Sequence, residues 1–133
     1  MFDFPYLIEM LTPRRSNAER IAVPMETFAE TYRKAVDSGN GVSISDNPMG
    51  RPRYSALEAI EFCKRRLDPT RTVINLTTFH TKEELDSLLR SASKLDLACL
   101  LIVRGDGGPE LPNLEPGASG GAGSFATSTD LIR

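Results

Sequence analysis

The chain has 133 residues, a length that suits one domain with a real hydrophobic core. Its formal net charge of −2 supplies no basic field for nucleic acid or for an anionic membrane surface. No apolar run approaches the ~20 residues that span a bilayer, and the N-terminal MFDFPYLIEM lacks the basic and long apolar regions of a signal peptide, so the expectation is a soluble, cytoplasmic protein.

Phe4 to Met10, FPYLIEM, is short and mostly apolar, and it predicts a strand with Pro5 near its start, where a missing donor is tolerated. Glu9 is the odd residue in it. Leu11 to Arg20 reads as loop from its proline and polar content. Pro24 then opens a helix, at a position where the absent N–H is not missed. Phe28, Tyr32, Ala35 and Val36 share one face, and Gly39 is its stop. Gly41 to Ser45, GVSIS, predicts a second strand, followed by a turn-rich loop from Asp46 to Arg53.

Ser55 and Glu58 form a capping box before a helix with a stripe of Leu57, Ile60, Lys64 and Leu67, ended by Asp68-Pro69. Thr72 to Thr77, TVINLT, is the third predicted strand. A second capping box, Thr81 with Glu84, opens the cleanest amphipathic pattern in the chain: Leu85, Leu88, Leu89, Ala92 and Leu95. Leu97 to Val103, LACLLIV, is the fourth strand. Its unbroken apolar character predicts a parallel strand covered on both faces. Residues 107–124 read as a flexible Gly/Pro-rich loop within the single domain 1–133, and Thr127 to Arg133 as the first turn of a further helix, capped by Thr127 or Ser128. Cys63 and Cys99, far apart and without a CxxC spacing, read as two thiols in a reducing compartment.

This βαβαβαβ order implies parallel strands joined by right-handed crossovers. An open doubly wound sheet and a (βα)8 barrel both place ligands at the C-terminal strand ends. Those ends carry Glu9, Ser45–Asp46, Asn75 to Thr77, and Arg104 to Asp106, which together predict one polar rim. Glu9 reads either as a general acid or base, or as a strand-end carboxylate in water or paired with Arg14 or Arg15. Arg104 and Asp106 read either as a structural ion pair or as a ligand-facing pair, with Gly105 permitting close approach to the backbone. An adhesion-type Arg-Gly-Asp loop does not suit a cytosolic chain with a buried preceding strand. The glycines of GASGGAG do not follow a strand with GxGxxG spacing, and no GK[ST] follows them, so they predict a loop or lid. His80 is the only histidine, which leaves no triad or metal cluster to build; a surface or capping role is expected for it, and no metal site. The Asn75-Leu76-Thr77 sequon falls inside a predicted strand and carries no weight.

Taken together, the strand ends resemble the methylenetetrahydrofolate reductase family. IEMLTPRR resembles that family's first strand and loop, GVSIS its second strand, VINLTT its third and LLIVRGD its fourth, and STDLIR resembles a helix start further on. The resemblance implies the first half of a (βα)8 TIM-type barrel, about four parallel strands with crossover helices. It also implies FAD at the C-terminal rim, NADH or NADPH as electron donor and a folate substrate. Residue by residue, it implies Glu9 as the general acid that helps open the methylene bridge. Asp106 would lie by the flavin and the pterin, tuning the flavin and favouring the cationic iminium form of the folate. Ser45, Asn75, Arg104, Gly105, Asp106 and Ser128 would contact the cofactor. The chain departs from the family pattern at Asn75, where a histidine is usual, at Asp46, where an aromatic is common, at Thr127–Ser128, and in the longer loop after Asp106. A full barrel runs to ~250 residues, so the expectation is either a longer reading frame or a natural half-barrel that forms a homo-oligomer or docks on a second subunit. The chain alone is expected to be nearly inactive. The alternative readings are a noncatalytic half-barrel interaction subunit and a flavin-free, pterin-binding relative.

Overall fold

The structure, a computed structural model, describes residues 3–15, 22–46, 53–63, 67–97, 99–104 and 132. Four strands, β1 (Leu7–Leu11), β2 (Gly41–Ser45), β3 (Thr72–Leu76) and β4 (Cys99–Ile102), alternate with three helices, α1 (Ala22–Asp37), α2 (Ala56–Cys63) and α3 (Lys82–Lys94). All three strand pairs are parallel and the sheet order is β1-β2-β3-β4. The register sets Glu9 against Ser43, Ser45 against Asn75, and Asn75 against Leu101.

Because each strand is added on the same side of the one before, right-handed crossovers carry all three helices over a single face. α1 packs on α2, and α2 on α3. A doubly wound sheet would reverse its strand order and cover both faces; this one does neither, and its winding is compatible with half of a barrel.

Alternation along each strand then assigns two faces. Met10, Val42, Ile44, Ile74 and Leu76 turn toward the helices and are buried. Met10, Val42, Ile44 and Ile74 cluster with Met25, Phe28, Tyr32 and Ala35 of α1 and with Ala56, Ala59, Ile60 and Cys63 of α2, while Leu76 packs with Leu85 and Leu88 of α3. The α1 face is the one expected. On α2 the buried row is Ala56, Ala59, Ile60 and Cys63, three small residues around one large one. Of the expected stripe Ile60 is buried, Leu57 and Leu67 pack only at its margin, and Lys64 lies outside the described residues; the expectation scored large apolar residues and passed over alanine. Among the described residues no helix covers the opposite sheet face, where Ser43, Ser45 and Val73 at the centre are buried and the residues of the two edge strands are open. Leu7 is 49% exposed, Leu11 43% and Leu101 51%. The expectation that β4 is covered on both faces is therefore corrected: Leu100 and Ile102 are partly buried on the helix side, and Leu101 on the other side is exposed. Near the start of that opposite face the Phe4 ring lies over Gly41, where any side chain would meet it. Cys63 and Cys99 form no disulfide with each other.

Two helix ends use the same closing geometry. After α1, Gly39 N–H donates to Val36 O at 2.8 Å and Asn40 N–H to Ala35 O at 3.2 Å. After α3, Asp96 N–H donates to Ser93 O at 3.2 Å and Leu97 N–H to Ala92 O at 3.4 Å. Both closures need a left-handed residue: Gly39 has φ 81° and Asp96 φ 54°. A methyl at Gly39 meets nothing within 4 Å, so Gly39→Ala isolates the backbone term and is expected to cost about 1 kcal/mol. Asp96→Gly is expected to gain about 0.5–1 kcal/mol for the same reason. Urea unfolding of the two variants checks both signs.

Candidate functional site

Four polar side chains on the sheet face turned away from the helices are linked across three strands. Ser43 Oγ donates to Asn75 Oδ1 at 3.1 Å, Asn75 Nδ2 donates to Ser45 Oγ at 3.4 Å, and Ser45 Oγ donates to Glu9 Oε1. The donors all run one way and end on the carboxylate. Period-two alternation puts these residues on one face, and the parallel register brings Glu9, Ser43 and Ser45, and Asn75 to neighbouring levels. Ser43 and Ser45 are buried; Glu9 is exposed. The relay thus presents an oriented carboxylate at an accessible surface flanked by Leu11 and Leu101.

Glu9 does not take up the arginine pairing considered for it. Arg15 Nη2 bonds Glu58 Oε2 at 2.7 Å and its guanidinium stacks 4.9 Å from the Tyr54 ring centroid. Burial alone would raise the Glu58 carboxyl, but the Ser55 N–H and the Arg15 guanidinium outweigh it and hold it below its ordinary range. The capping box expected at Ser55 and Glu58 is present, with Ser55 N–H donating to Glu58 Oε2 at 2.7 Å and Glu58 N–H to Ser55 Oγ at 3.1 Å. It shares its carboxylate with Arg15.

Of the expected site residues, the structure joins Glu9, Ser45 and Asn75 directly. Arg104 follows the end of β4, one strand beyond Asn75, and its carbonyl accepts the Thr78 hydroxyl at 2.6 Å. Gly105, Asp106, Ser128 and the loop 107–124 lie outside the described residues. Two features were not anticipated. Ser43 joins the relay; the signal was its spacing of two from Ser45. His80 is not a surface residue, and its expected surface or capping role is corrected. It is buried, its Nε2 is 2.5 Å from Asp46 Oδ2, and its Nδ1 is 3.9 Å from Glu84 Oε2. The capping belongs to its neighbour: Thr81 Oγ1 accepts from Glu84 N–H and Glu84 Oε2 from Thr81 N–H, as expected. The sequence places His80 thirty-four positions from Asp46, and only the parallel alignment of β2 and β3 brings them together.

The hydroxyl and amide groups of Ser43, Ser45 and Asn75 lie between Leu11 on one edge strand and Leu101 on the other. Among the described residues no cluster of three or more His, Cys, Asp or Glu side chains could hold a metal ion, and no helix is long and apolar enough to cross a membrane. No protein-family model matches the chain, and the search of curated proteins gave no match.

Proposed function

We propose that this chain carries the first half of the site of a methylenetetrahydrofolate reductase-like flavoprotein, which reduces methylenetetrahydrofolate to methyltetrahydrofolate. The observation that carries the reading is the Ser43–Asn75–Ser45–Glu9 relay on the face of a parallel sheet turned away from the helices. FAD, when bound, supplies the hydride, which it takes from NADH or NADPH. Glu9 gives a proton to the folate nitrogen released as the methylene bridge opens. Ser45 holds one oxygen of that carboxylate and so fixes the direction in which Glu9 presents its proton. Ser45 and Asn75 meet the polar edge of the cofactor, and Arg104 meets phosphate. Gly105, Asp106 and Ser128 belong to the same set by family resemblance, with the Asp106 charge favouring the cationic form of the folate.

The strand order and the two sheet edges support a barrel half. Beside β1 lies a hollow of about 340 Å³ lined by Glu9, Met10, Leu11 and Phe28 among others. Beside β4 lies one of about 300 Å³ lined by Leu89, Ala92, Leu97 and Leu100 among others. Each is placed where a further strand and helix would pack. The deciding assay is the reduction of methylenetetrahydrofolate by the protein assembled with four more βα units. Turnover that depends on FAD is expected; a well-folded protein with no folate reduction contradicts the reading.

The exposure of Leu7, Leu11 and Leu101 also favours a second reading, a half-barrel that serves as an interaction subunit. It predicts a discrete dimer or heterocomplex in size-exclusion light scattering. A monodisperse monomer contradicts it.

A further inference from the structure

The Asp46–His80 pair has no part in the flavin reading, and the role it plays is independent of that reading. Asp46 directly follows β2 and is 1% exposed; His80 directly precedes the Thr81 cap of α3 and is 8% exposed. One carboxylate oxygen, Oδ2, takes the Thr77 hydroxyl at 3.0 Å and lies 2.5 Å from His80 Nε2. The other, Oδ1, is buried with no hydrogen-bond partner among the described residues. On the far side of the ring, Nδ1 faces Glu84 Oε2 at 3.9 Å. Both ring nitrogens are therefore turned toward carboxylates. A neutral imidazole has one N–H and one lone pair, so one of its sides must set a lone pair against negative charge. Only the protonated ring turns an N–H to both, in a hydrogen bond at Asp46 and in a longer charge contact at Glu84.

The groups around the ring can be taken element by element. β2 contributes Asp46. α3 contributes Glu84, whose Oε2 also caps Thr81, together with the positive end of its dipole, which opposes a cation. The end of β3 contributes the uncharged Thr77 and Thr78, and Thr78 ties on to the Arg104 carbonyl after β4. We propose that Asp46 and His80 form a proton-operated latch. While the imidazole is charged it fastens the end of β2 to the turn that opens α3, and with that the polar rim; when the ring loses its proton the fastening slackens. Ser45, next to Asp46, carries the Glu9 end of the relay on the opposite face, so the latch lies directly behind that contact.

Burial works against the charge on His80, but the hydrogen bond and charge of Asp46 and then the charge of Glu84 outweigh it and hold the ring above its ordinary value of 6.5. A group raised on folding contributes stability that is complete below its unfolded value and lost as pH rises through its folded one. The latch is therefore closed in mild acid and opens toward alkaline pH.

The single histidine makes the test clean, because the imidazole C–H resonances of the full chain report one residue. The wild-type midpoint is expected above 6.5. Asp46→Asn is expected to bring it down to that value or below. Thermal melts should show the wild-type Tm falling by several degrees from pH 6 to pH 9 and His80→Gln losing that fall. A wild-type midpoint at or below the ordinary value overturns the latch, as does a His80→Gln chain with the wild-type pH dependence. Where a variant does not fold, the wild-type NMR titration decides.

Discussion

Glu9→Gln is expected to lower the rate of folate reduction by about 10²–10⁴-fold, the range for loss of a positioned general acid. Glutamine keeps the size of the side chain and can still accept the Ser45 hydroxyl, so the relay and the sheet stay intact. What it lacks is a proton to give. Oxidation of the nicotinamide donor does not call on that proton and is expected to keep its wild-type rate, which separates a lost acid from a damaged cofactor site. Stopped-flow measurement of the two half-reactions in the assembled enzyme provides the check. A parallel loss in both halves would assign Glu9 to binding instead.

Tyr32→Ala is expected to cost about 3–5 kcal/mol of stability and Tyr32→Phe about 1–2 kcal/mol. The ring is fully buried between α1 and the sheet. Its hydroxyl lies 2.9 Å from Thr72 Oγ1 and accepts the Asp68 N–H at 2.9 Å, while Thr72 Oγ1 donates to Asp68 O at 2.7 Å. This closed set fixes the start of β3. Asp68 also caps the short 3₁₀ turn Pro69–Arg71 through Thr70 N–H at 3.0 Å. Alanine removes the ring and leaves a cavity; phenylalanine removes only the oxygen and strands a buried donor. Burial, followed by the charge of Asp68, pushes the Tyr32 phenol above 10.0 even though its hydrogen bonds to Thr72 and Asp68 work the other way. Denaturant melts at neutral pH give both values. Equal losses for the two variants would show that packing around the ring contributes little.

The alternation of strands and helices was legible because its signals are local: the caps at Ser55 and Thr81, the stop at Gly39, and the apolar runs of β2 and β4. Parallel pairing followed from that alternation alone. Strand ends were placed less well. β1 runs from Leu7 to Leu11, not from Phe4 to Met10, because Pro5 has no N–H for a ladder and Phe4 instead covers Gly41. β3 and β4 are each shorter than their apolar runs, since Thr77 and Val103 lie past the last paired positions.

Glu9, Ser45 and Asn75 were found as strand-end polar residues, and register then joined them. His80 was missed for a physical reason. A histidine flanked by Phe79 and Thr81 carries no sign of burial, and its partner Asp46 looks like an ordinary turn residue before Asn47-Pro48. Their meeting depends on β2 and β3 ending at the same level, which no local pattern encodes.

The most direct measurement of the central claim is a titration of the assembled protein with FAD, followed by the change in flavin absorbance, with wild type beside Asn75→Ala and Arg104→Ala. If the sheet face that carries the relay is the flavin site, the wild type binds FAD saturably at one site per chain and both substitutions weaken it by about 10-fold or more, the scale of one or two lost hydrogen bonds or phosphate contacts. A folded wild type that leaves the flavin spectrum unchanged would contradict it.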